Sequence, residues 1–186
     1  MAAVWSLETD NDFTKFYFPL EEDKKKFDEI VVNYFEQSKP VSKFWPILLM
    51  LRGEPMKHPD FFEIDNSNTL AISEKALGHI KGGLNKQIEL LPIQTDAGMY
   101  YILNVLNFVD CLNLNESKYI ATSNGIIVSY SLLEFEEKKL SEQNMFKIPQ
   151  LPYHTFISSY IHDQCEDHDL HGLTFDPRLN LVWYAD

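Results

Sequence analysis

The chain has 186 residues, 45% of them hydrophobic and 13% aromatic, enough for one packed domain and too much for a disordered chain. A formal net charge of −12 argues against nucleic acid as a partner, because phosphate needs a basic face and only Arg52 and Arg178 offer bidentate phosphate contacts. An acidic surface suits solubility, or docking onto a basic protein.

The opening residues, Met1 to Asp10, carry no basic flank and no apolar core, so no signal peptide is expected. The apolar, charge-free stretch from Ala97 to Val109 is too short to span a membrane and contains Asn104 and Asn107. Cys111 and Cys165 stand alone, without a CxxC, and fit a reducing, cytoplasmic compartment.

In chain order, Val4–Leu7 and Phe13–Phe18 read as short strands. Phe27, Ile30, Val31, Tyr34 and Phe35 then fall on one helical stripe. Glu21, Glu22 and Asp23 suit its positive end, and Pro40 stops it. Phe44–Leu51 fits either a strand or a buried helix. Phe61–Ile64 and Thr69–Ile72 read as strands flanking a turn at Asp65-Asn66-Ser67-Asn68. Ser73 is placed to cap a helix that Gly78 and Gly82-Gly83 keep short.

Ile88–Ile93 and Tyr100–Leu106 read as strands, the second more buried. Ile126–Tyr130, Leu132–Glu136 and Met145–Ile148 continue the β pattern. Thr155–Ile157 is then a strand, Ser158 a second serine cap, and Tyr160–Asp169 a short helix with Gly172 near its end. Leu173–Phe175 and Leu179–Tyr184 close the chain as strands. Short strands with few helices between them imply an α+β fold, mainly antiparallel, in one compact domain. Residues 1–55 form an N-terminal strand and helix elaboration on a 56–186 core, the two making one structural unit.

The densest set of reactive side chains is His162-Asp163-Gln164-Cys165-Glu166-Asp167-His168-Asp169-Leu170-His171. Imidazole, thiol and carboxylate all ligate metals, yet no HExxH or CxxC spacing accompanies them. On a helix, Ile161 and Cys165 face the core while Asp163, Glu166, Asp167 and Asp169 spread over the polar side. A solvated acidic helix is the preferred reading. The surrounding carboxylates also oppose a thiolate at Cys165, so it reads as a core residue.

Gly78 to Lys86 lacks the Walker spacing and reads as the C-terminal turn of a helix. Glu134 and Glu136 alternate on a strand face, which suits acid–base chemistry. With Lys138 and Lys139 beside them, a solvated edge strand is the simpler reading. Asn104 and Asn107 need partners if buried, either in a structural network or in contact with a ligand. No catalytic set, cofactor site or metal site is expected.

Tyr100-Tyr101-Ile102-Leu103-Asn104-Val105 with Asp110 resembles the YY-x-LNV-x-x-x-x-D core of a bacterial family. That family is the Imm11-type immunity proteins of polymorphic toxin systems, first described from a myxobacterial protein. Phe61–Ile64 followed by Leu70–Ala76 is similar to its strand and SE-x-A helix start. Asn144–Ile148 resembles its Phe-Arg-Leu strand, with Lys147 for arginine. Phe156-Ile157-Ser158 and Gly172-Leu173-Thr174-Phe175 resemble its closing FVS helix start and TGL-x-F strand, with His171 for threonine. The resemblance covers roughly Phe61 to Asp186, and more loosely the first sixty residues.

The resemblance implies a non-enzymatic α+β binder that neutralises a cognate effector toxin in the producing cell's cytoplasm. It carries over no catalytic residues. For the partner surface, Asp163, Glu166, Asp167 and Asp169 are the candidates, facing a basic toxin surface; no nucleic acid or membrane is expected. Two other classes stay open: a small metal-dependent or hydrolytic enzyme built on His162–His171, and a regulatory interaction domain. The oligomeric state is not legible.

Overall fold

Pairing of the apolar strands joins the first and last described segments. The structure, a computed structural model, describes residues 4–10, 13, 15–46, 48–53, 58–64, 67–84 and 88–176. Arg178, the strand expected at Leu179–Tyr184, the Asp65-Asn66 half of the expected turn and Lys86 lie outside the described residues.

β1 (Val4–Thr9) and a two-residue β2 (Phe16–Tyr17) precede α1 (Glu21–Ile30), which runs on into a π-helical turn (Val31–Phe35). β3 (Leu48–Arg52), β4 (Phe61–Glu63) and β5 (Leu70–Ser73) lead to α2 (Glu74–Ile80), followed by β6 (Ile88–Thr95) and β7 (Gly98–Val105). β8 (Lys118–Ala121) and β9 (Ile127–Leu132) form a hairpin. A 3-10 turn (Glu137–Lys139) then leads to β10 (Met145–Ile148), β11 (Leu151–Ser158), α3 (Ser159–Asp167) and β12 (Leu173–Asp176).

One sheet has the order β2-β3-β6-β7-β5-β4 and the other β10-β11-β1-β12. All named pairings are antiparallel except β3 with β6. The fold is α+β, as the short-strand grammar implies. β1, although first in the sequence, lies between β11 and β12 and so ties residues 4–9 to the last described segment.

Both faces of the larger sheet are covered, and the alternation along its strands sorts side chains between two cores. Phe62, Ala71, Leu91, Ile93, Tyr100 and Ile102 meet Phe27, Ile30, Val31 and Phe35 from α1 and the π turn. Phe61, Ile72, Leu103 and Val105 face the other way, against α2, α3, Met145 and Ile157. A third core gathers Cys111, Tyr130, Leu133, Phe146, Ile148 and Phe156 beneath the hairpin.

The helical stripe of Phe27, Ile30, Val31 and Phe35 is therefore correct, but the helix widens halfway along it. The Glu36 N–H donates to the Val31 carbonyl and the Lys39 N–H to that of Tyr34, both spanning five residues. Pro92 is tolerated inside β6 because β3 pairs only with Ile93, Gln94 and Thr95. Beside Pro92 stands Trp45, whose Nε1 donates to the proline carbonyl at 2.9 Å.

Three local expectations are corrected. Phe13–Phe18 reduces to Phe16–Tyr17, with only a bridge at Phe13. Leu132–Glu136 is not a strand beyond the end of β9: Phe135 makes an isolated bridge with Leu112, and Glu136 pairs with Lys139 at 2.8 Å. Ser158 precedes α3 but does not cap it with its side chain, because its hydroxyl donates to Asn144 Oδ1 at 2.7 Å. Ser73, by contrast, accepts the Ala76 N–H at 3.1 Å as a true cap of α2.

Candidate functional site

The His162–His171 segment forms α3 and its exit, and its side chains disperse. Ile161 and Cys165 are buried in the core, as their spacing requires, while Asp163, Glu166, Asp167 and Asp169 are all exposed. His162 stacks on Trp5 with ring centres 4.0 Å apart, and its Nδ1 lies 3.1 Å from Asp163. His168 stacks instead on His79 of α2 at 3.9 Å, and His171 on Phe13 at 5.6 Å. Three imidazoles thus face three different neighbours. Among the described residues no three His, Cys, Asp or Glu side chains are grouped to hold a metal ion.

Both cysteines sit in surroundings that disfavour the thiolate. Both are free and buried, and burial pushes each thiol up to about 12, with nearby carboxylates adding to the effect.

The helix end explains Asp169. Leu170 N–H donates to the Cys165 carbonyl and Asp169 N–H to that of Glu166, which closes α3 in a Schellman turn. The left-handed residue in that turn is Asp169, at φ +50°, rather than Gly172. Gly172 has a different task. At φ +105° it passes so close to β4 that an added Cβ would sit 2.0 Å from the Phe61 carbonyl oxygen.

Next to that crossing lies a buried carboxylate that the sequence does not advertise. Asp60 accepts from Ser73 Oγ (2.9 Å), Lys75 Nζ (3.0 Å) and the His171 N–H (3.1 Å). Its backbone also bonds to His171 and Ser73. Three separately noticed pieces, Phe61–Ile64, Ser73–Ala76 and Gly172–Phe175, therefore meet at one structural joint. Asp60 follows His58-Pro59, a stretch whose composition marks only a loop.

Asn104 and Asn107 are buried, and their amide nitrogens donate within the protein, while Asn104 Oδ1 is buried without a partner. Asn104 Nδ2 donates to the Lys39 carbonyl (3.0 Å) and to Glu89 (2.8 Å). Glu89 in turn accepts the Val41 and Ser42 N–H groups at 2.8 and 3.1 Å. Burial pushes the Glu89 carboxyl upward, but these hydrogen bonds outweigh it and hold the group below its ordinary value. The network pins the segment after the π turn to the sheet. Asn107 Nδ2 donates to Gln143.

Lys147 is the most unusual charge in the molecule. It points into the interior from β10 and donates to the Phe35 carbonyl, at the end of the π turn, at 2.9 Å. Burial drives its amine down to about 8.

Two surface clefts stand out among the described residues. One, of about 660 Å³, lies beside the π turn and is lined by Lys26, Asn33, Tyr34, Lys39 and Phe44 among others. The second, of about 510 Å³, lies between β9 and the start of β11. No helix among the described residues is long and apolar enough to cross a membrane.

These features define an α+β protein in which Cys111, Cys165, His162, Asp60, Asn104 and Lys147 are engaged in packing or hydrogen bonding. Residues 92–179 match the model of an immunity protein family, Imm11, the family that the order of sequence motifs resembles. The matched stretch runs from within β6 through β12 and includes Asn104, Lys147, α3 and Gly172; Phe61–Ile64 and Leu70–Ala76 lie outside it. No curated protein matches the chain.

Proposed function

We propose that the chain is an immunity protein, which binds and neutralises a cognate bacterial effector toxin in the cytoplasm of the cell that makes both. The match of residues 92–179 to the immunity family carries this reading. Neutralisation is by occupation and not by catalysis, which suits side chains such as Cys165 and His162 that are locked in packing. Residues 1–55 and 56–186 act as one unit.

The four acids of α3 and its exit, Asp163, Glu166, Asp167 and Asp169, supply long-range attraction to a basic toxin surface. With a chain charge of −12, such attraction raises the association rate and weakens as salt shortens the Debye length, about 8 Å at 0.15 M. The test is association kinetics with the toxin domain encoded next to this gene, at several salt concentrations. Replacing the four acids with Asn or Gln should slow association more than it speeds dissociation. A rate indifferent to salt and to these substitutions removes the acids from the partner surface. Absence of binding by the unaltered protein sinks the immunity reading itself.

A further inference from the structure

The β8–β9 ribbon pairs with neither larger sheet among the described residues. A two-stranded ribbon that packed normally would bury one apolar face. Here β8 is exposed along its whole length, and apolar side chains point outward from both strands and the tip. Ile120 is 63% exposed and Ile126 64%, with Tyr119 and Val128 beside them at 44% and 43%. Single exposed apolar residues are ordinary, but four on one short ribbon, spread over both strands and the tip, mark a surface that something covers.

The ribbon is ordered before any partner arrives. Its tip is closed by Thr122 N–H to the Ile126 carbonyl (2.8 Å) and Gly125 N–H to the Thr122 carbonyl (2.9 Å), with Gly125 at φ +81°. Tyr130 anchors the base in the third core. β9 carries Val128 and Ser131 as extra residues in its register with β8, which twists the strand and discourages open-ended β pairing. Alongside runs the cleft of about 510 Å³, bounded by Gly125, Val128, Gln150, Pro152 and Tyr153 and lined by no charged residue among those described.

At the ribbon base, and beside the cleft at Gln150, acids outnumber lysines. Asp110 accepts from Gln150 of the cleft at 3.2 Å. Glu134 is held to the ribbon base through Asn113 and Ser117, and Glu116 and Glu136 stand nearby. Glu137 adds to them in the 3-10 turn, and against them stand Lys118, Lys138 and Lys139, of which Lys139 is already paired with Glu136. We infer that the β8–β9 ribbon and its adjoining cleft are the docking surface for a protein whose apolar contact face is ringed by Lys and Arg. Resting on the immunity reading above, that protein is the toxin. A second copy of this chain fits poorly, since it would press two acidic rims together on molecules of charge −12. The acids of α3 lie beyond the far end of β11, roughly 23 Å along the strand. They guide the approach, and the ribbon sets the residence time.

The test uses the full chain and the toxin domain encoded beside it. Ile120→Ser with Ile126→Ser should weaken binding about 100-fold, mainly through faster dissociation, because central apolar anchors dominate such interfaces. Both positions are exposed, so an unchanged thermal melt verifies the fold. Ile126→Lys should weaken binding more than Ile126→Glu, as a basic rim requires. In the unaltered protein, amide exchange at residues 118–130 should slow when the toxin is added. Undiminished affinity in the double variant, or unchanged exchange in the ribbon, overturns the inference while leaving the immunity reading intact. A dimer of the unaltered protein in sedimentation that the double variant abolishes overturns it in favour of self-association. Failure of the unaltered protein to bind the toxin overturns the immunity reading first and this inference with it.

Discussion

Lys147 should make stability rise with pH on the alkaline side. Its amine is held at about 8 in the fold against 10.5 for an ordinary lysine, because it is buried with the Phe35 carbonyl as its hydrogen-bond acceptor. Below about pH 8 both folded and unfolded chains carry this proton, and the full cost of the buried charge is present. Between about 8 and 10.5 the unfolded chain still holds a proton that the fold has released, so this group's contribution to stability rises with pH. A shift of that size corresponds to about 3 kcal/mol in total, of which about 2 kcal/mol should be recovered between about pH 7 and about pH 9.5. Cys111, Cys165 and Tyr100 work the other way. Burial raises each to about 12, so the unfolded chain loses those protons first and stability falls as pH rises. Comparing the protein with Lys147→Met cancels those terms. In urea unfolding under reducing conditions, the unaltered protein should gain about 2 kcal/mol on the variant between about pH 7 and about pH 9.5. A difference that is flat, or that shrinks as pH rises, refutes the buried, proton-shedding amine.

Three further outcomes follow from single contacts. Gly172→Ala puts a Cβ against the Phe61 carbonyl at a positive φ, so it should cost about 3 kcal/mol and lower Tm by about 10 °C; a shift of only a degree or two in a thermal melt contradicts the crossing. Asn104→Ala strips two hydrogen bonds from the Glu89 and Lys39 junction and should cost about 1–3 kcal/mol in chemical unfolding. Its folded fraction should bind the toxin normally, and normal stability with lost binding would make Asn104 a contact residue. Asp169→Gly relieves a left-handed aspartate at the end of α3 and should add about 0.5–1 kcal/mol by the same assay, whereas destabilisation would contradict the turn assigned there.

What was legible in the sequence was local. Ser73 ahead of Glu74-Lys75-Ala76 gave the cap of α2, and the four-residue spacing of Ile161 and Cys165 gave the inward face of α3. Chain-distant pairing was not legible. Nothing in Val4–Thr9 indicates that it separates β11 from β12, because a short strand pattern names no partner. Lys147 defied the period-two reading, since every residue of β10 is buried and a lysine there should have marked the solvent face. Asp60 was hidden by its loop-like neighbours, for its role depends on Ser73, Lys75 and His171 arriving from elsewhere in the chain. β8 was missed because Lys118–Ala121 buries nothing, and burial is what writes a strand into a sequence. The acids of α3 were found as charges, while the apolar ribbon became visible only through its exposure.

The most direct measurement is a calorimetric titration of the purified chain into the toxin domain encoded beside its gene, with the toxin's activity assayed on the same samples. A saturable complex of fixed stoichiometry, with toxin activity falling in step with the fraction bound, is the expected result. Toxin activity that persists when this chain is saturating, or no binding at all, would contradict the account.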